Sequence, residues 1–64
     1  MRPQKTVIEE VLEDLEELAR SYKIEAKNNP IRSKSFYDIS SHIEKAWENL
    51  SAAFTIIEQK EKFN

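Results

Sequence analysis

Between Phe36 and Ile57 the apolar side chains return every three or four residues: Phe36, Ile39, Ile43, Ala46, Trp47, Leu50, Ala53, Phe54 and Ile57. At about 3.6 residues per turn, this spacing gathers them on one side of a helix roughly six turns long. A strand would need alternation at every second residue, and there is none. A shorter stripe lies upstream: Ile8, Val11, Leu12, Leu15, Leu18, Ala19 and Tyr22. With Ile8 and Phe36 each placed at heptad position a, both stripes fall on a, d and e. Three apolar positions per heptad suit a bundle helix, whereas a two-stranded coiled coil needs only a and d.

Local signals set the expected boundaries. Thr6 followed by Glu9 reads as a capping box, in which hydroxyl and carboxylate each bond the other residue's amide. The first helix is expected over about 7–27, after a frayed tail at residues 1–5. Asn28-Asn29-Pro30 ends it, because proline disfavours helical geometry in the residue before it. The second helix has two candidate starts. Asn29 would cap it with Pro30 at the first helical position, or Ser35 would cap it with Asp38 three residues on. Ser35 is preferred because the stripe begins at Phe36. The second helix then runs over about 36–60, after a connection at 28–35. A short connection makes the helices antiparallel neighbours. The expected fold is all-α: residues 1–64 form a single antiparallel two-helix hairpin.

Two helices side by side enclose little, since each stripe keeps one flank in water. A chain of 64 residues without cysteine has no disulfide or thiolate metal site to staple it. Self-association or a partner protein completing the bundle is left, and self-association is the simpler remedy. A two-fold dimer would close a four-helix bundle. Its expected interface is Ile8, Leu15, Leu18, Tyr22, Phe36, Ile39, Ile43, Trp47, Leu50, Phe54 and Ile57.

Charge is unevenly spread behind a net charge of −2. Glu9, Glu10, Glu13, Asp14, Glu16 and Glu17 crowd the first helix, mostly at b, c and f, away from the stripe. An acidic N-terminal half suits the helix macrodipole, and the same face offers Glu10, Glu13 and Glu17 to a basic partner. Arg20, Lys23, Lys27, Arg32 and Lys34 reverse the balance around the connection. A basic end with Tyr37 nearby is the footprint expected of nucleic-acid binding. Lys23, Lys27, Arg32, Lys34 and Tyr37 are therefore candidate partner contacts. Ile24, Ile31 and Tyr37 would also supply an apolar patch there.

Catalytic chemistry finds no foothold. Glycine is absent, which argues against Gly-rich phosphate loops, and no nucleophile constellation or cofactor fingerprint is present. Glu10 and Glu13 resemble half of the paired Glu-x-x-Glu and Glu-x-x-Asp motifs that hold magnesium in all-helical nucleotide pyrophosphatases. The second helix supplies no inward acidic pair to match. His42, the one histidine, flanks the stripe at g with no partner to make it a general base. As a boundary histidine it would tune association near pH 6. No catalytic, cofactor-binding or metal residue is assigned.

The apolar runs are too short to span a membrane, and Met1-Arg2-Pro3-Gln4-Lys5 leads into an acidic helix without an apolar signal core. The expectation is a cytoplasmic, non-enzymatic homodimer acting through protein–protein interaction as a regulator, adaptor or inhibitor. The alternative is a nucleic-acid-binding regulator using the basic loop end. The run Val11-Leu12-Glu13-Asp14-Leu15-Glu16-Glu17-Leu18 looks like many short helical proteins, small nuclease subunits among them, and transfers no residue role.

Overall fold

The computed structural model describes the backbone of residues 3–63 and the side chains of residues 3–60. It holds two helices, α1 (Gln4–Asn28) and α2 (Ser33–Phe63), packed against each other as a hairpin.

Helix α1 starts earlier than its capping signal. Pro3 is extended (φ −56°, ψ 143°), and its carbonyl accepts the first helical bond from the Val7 amide at 3.2 Å. Thr6 therefore lies inside the first turn, and no side chain caps the helix. Lys5 helps explain the extra turn. Its ammonium sits 5.8 Å from the Phe54 ring centre and 4.0 Å from Glu58, tying the start of α1 to α2. Met1 and Arg2, part of the expected tail, lie outside the described residues.

The connection is also tighter than expected. Asn29 closes α1, donating its amide to the Glu25 carbonyl at 3.0 Å. Its backbone is extended (φ −127°, ψ 85°), as the following proline demands. Its side-chain amide also donates to Glu25 Oε2 at 3.3 Å. The Arg32 amide then donates to the Asn29 carbonyl, and the Phe36 amide to the Arg32 carbonyl. Residues 29–32 thus form a turn, and α2 begins at Ser33, before the preferred Ser35 cap. No described residue has positive φ, so this chain turns without glycine.

The residues between the helices are a narrower set than the stripes. Ile8, Leu12, Leu15, Ala19, Tyr22 and Ala26 of α1 face Phe36, Ser40, Ile43, Trp47, Leu50, Phe54 and Ile57 of α2. In heptad terms these are the a and e columns. Small residues at e gather toward the loop: Ala19, Ala26 and Ser40 are the buried ones, Ser40 only 1% exposed. Their size lets the helices approach until the Ser40 hydroxyl donates to the Ala19 carbonyl at 3.1 Å. Tyr22 and Phe36 pack beside them, rings 5.9 Å apart. Large e residues, Leu12, Trp47 and Phe54, fill the wider open end.

The hairpin is long and thin, 52 × 20 × 13 Å, with a radius of gyration of 15.1 Å. A compact chain of this length would have about 11 Å. Its accessible surface is 5354 Å², against about 4,300 Å² for a folded monomer of 7.6 kDa. The difference, roughly 1,000 Å², is surface that a closed core would have removed.

Candidate interaction faces

Two columns flank the a/e seam on each helix, b on one side and d on the other. In an antiparallel pair the equivalent columns of the two helices share a face. The contacts confirm this pairing. Lys23, at b on α1, reaches Glu44, at b on α2, with Nζ 2.6 Å from Oε1. Both b columns therefore line one broad face, and both d columns line the other.

The b face is polar and grooved. Leu15, Ala19 and Trp47 floor an open groove of about 420 Å³, with Glu16, Lys23 and Glu44 on its walls. Glu16 also pairs with Arg20 at 3.6 Å along the same helix. The Lys23 ammonium, first by its hydrogen bond and then by its charge, holds the Glu44 carboxyl below the usual value of 4.5, with a smaller contribution from Ser40. The Ser40 hydroxyl lies 3.3 Å from Glu44 Oε1, a second acceptor for its single proton. Beneath the groove, Trp47 Nε1 is buried and has no hydrogen-bond partner among the described residues.

The d face is apolar. It carries Val11 and Leu18 from α1, and Ile39, Ala46 and Ala53 from α2, with Glu25 and Lys60 at d toward its two ends. Leu18 is 48% exposed, Val11 and Ile39 each 39%. Val7 and Ile56, both exposed, edge it near the open end. Among the d and g positions of its central span, Asp14 is the one carboxylate, with Ser21, His42 and Asn49 between the apolar residues.

This geometry sorts the residues expected at a dimer interface. Ile8, Leu15, Tyr22, Phe36, Ile43, Trp47, Leu50, Phe54 and Ile57 lie half-buried between the two helices of one chain. Leu18 and Ile39 stand on the open apolar face. Glu10, Glu13 and Glu17 are exposed on the outer side of α1. Of the basic candidates, Lys23 is drawn onto Glu44, while Lys27, Arg32 and Lys34 are exposed around the turn. Tyr37 lies on the b face at 45% exposed. Ile24 points away from α2, and Ile31 stands almost fully in solvent at the turn. No group of three or more His, Cys, Asp and Glu among the described residues is placed to hold a metal ion. No helix among them is long and apolar enough to cross a membrane.

Sequence reasoning did not find the Lys23–Glu44 bridge. The signal was available: opposite charges at b positions that an antiparallel hairpin sets side by side. No family model, curated protein or solved structure matches this chain.

Proposed function

We propose that this protein is a non-enzymatic helical module that works by protein–protein contact as a homodimer, in the manner of a small regulator, adaptor or inhibitor. One observation carries the reading. The hairpin leaves Val11, Leu18, Ile39 and Ala46 exposed on one face beside half-buried Ala53, on a molecule with roughly 1,000 Å² of surface beyond the norm for its mass. A second copy would close the two hairpins into a four-helix bundle. The b face, with its charged groove, would remain outside for a further protein. A cysteine-free chain suits the reducing cytoplasm, where the same reading places it.

Native mass measurement of the purified protein tests the assembly, and the same measurement on the complex drawn from its source cell tests the role. The expected species is a dimer of the 7.6 kDa chain that carries no metal or metabolite. A 7.6 kDa monomer at micromolar concentration would overturn the assembly. A bound metabolite retained at fixed stoichiometry would overturn the non-enzymatic reading.

A further inference from the structure

Resting on the homodimer reading, the geometry points to the surface that makes the contact. We propose that a second copy of this chain seats on the d face, over Val11, Leu18, Ile39, Ala46 and Ala53, and that the b groove faces outward.

Desolvation separates the two faces. Burying the b face would strip water from Glu16, Arg20, Lys23, Glu44 and Glu48, charges that the structure joins through the exposed pairs Lys23–Glu44 and Arg20–Glu16. Buried charges repay that cost only when each is well partnered. The d face asks for less, because its d and g columns carry only Asp14, Glu25 and Lys60 as formal charges, and of these Asp14 alone falls within the stretches 11–18 and 39–53. Interface centres are depleted of charge in the same sense.

Area supports a second copy as the occupant. The flat side of the whole hairpin measures 52 × 20 Å in plan, about 1,000 Å² with its polar ends included, and a stable interface of standard size takes about 800 Å² from each partner. One hairpin laid on another matches this face in length and width. It also covers both d columns at once, which a single helix would not. A two-fold pairing needs no further apolar surface, since one patch serves both copies.

Sedimentation equilibrium on the full chain tests the assignment. Leu18→Glu and Ile39→Glu place a carboxylate on the d face. Tyr37→Glu does so at a side chain of similar exposure on the b face. The first two should weaken the dimer roughly 100-fold or more, since each leaves uncompensated charge in the contact. The third should leave it within about threefold of the parent. Circular dichroism checks that each variant keeps its helices. An independent measurement needs no variant: a soluble paramagnetic probe should broaden the methyl signals of Ile24 and Ile31 and spare those of Leu18 and Ile39. A monomeric parent protein overturns the homodimer reading and this inference together. A dimeric parent that survives Leu18→Glu and Ile39→Glu, or dissociates with Tyr37→Glu, overturns the face assignment alone. So does equal broadening of all four methyl groups in a dimeric parent.

Discussion

Ser40 matters for its size more than for its hydroxyl. Its one proton faces two acceptors, the Ala19 carbonyl and Glu44 Oε1, and serves one at a time. Ala19 lies mid-helix, where its carbonyl already accepts a bond within α1. Ser40→Ala thus leaves no orphan and should cost at most about 1 kcal/mol. Ser40→Leu forces a branched side chain into the closest approach of the helices and should cost about 1–3 kcal/mol more. Urea unfolding followed by Trp47 fluorescence ranks them, and equal stability would argue against a close contact at this point. The Lys23–Glu44 pair gives a prediction in pH. The folded carboxyl ionises below its unfolded value, so its contribution is complete above 4.5 and fades as acid titrates the folded group. Lys23→Met removes the cause. As pH falls below 4.5 the parent protein should lose more stability than this variant.

At the scale of the element, the two readings of where α1 begins can be set against each other. A working Thr6 cap would make Thr6→Ala cost about 1 kcal/mol. In the structure Thr6 is an ordinary first-turn residue behind Pro3, so Thr6→Ala should change stability by less than about 0.5 kcal/mol, measured by chemical denaturation. Pro30→Ala should cost about 0.5–1 kcal/mol, because it frees a turn that proline restricts in the unfolded chain. The existence, order and type of both helices were legible from the stripes, because a heptad repeat sustained from Phe36 to Ile57 fits no other regular structure. The division of labour within each stripe was not. Val11 and Leu18 are as apolar as Ile8 and Leu15, and hydropathy alone does not say which column meets the other helix. Ala26 and Ser40 were overlooked for the opposite reason. Close approach of two backbones selects small side chains, and smallness carries no apolar signal. Once the seam is known to be a and e, the run of Ala19, Ala26 and Ser40 at e marks the approach.

For the molecule as a whole, the decisive quantity is how stability depends on concentration. A lone hairpin unfolds with a midpoint indifferent to dilution. Unfolding coupled to dissociation obeys mass action, so the folded dimer gains as the chain is concentrated. Each tenfold rise is worth about 1.4 kcal/mol per dimer. Spread over the unfolding entropy of two 64-residue chains, that raises the melting midpoint by about 5 °C. Melting curves from about 1 to 100 μM should therefore separate by roughly 10 °C. The same series on Leu18→Glu should collapse onto one low, concentration-independent midpoint, because the d face would no longer accept its copy. Curves from the parent that superimpose across this range would leave the hairpin as a self-sufficient monomer. Its 5354 Å² of surface would then be a property of an elongated fold that tolerates an open apolar side, and the case for self-assembly would lose its physical motive.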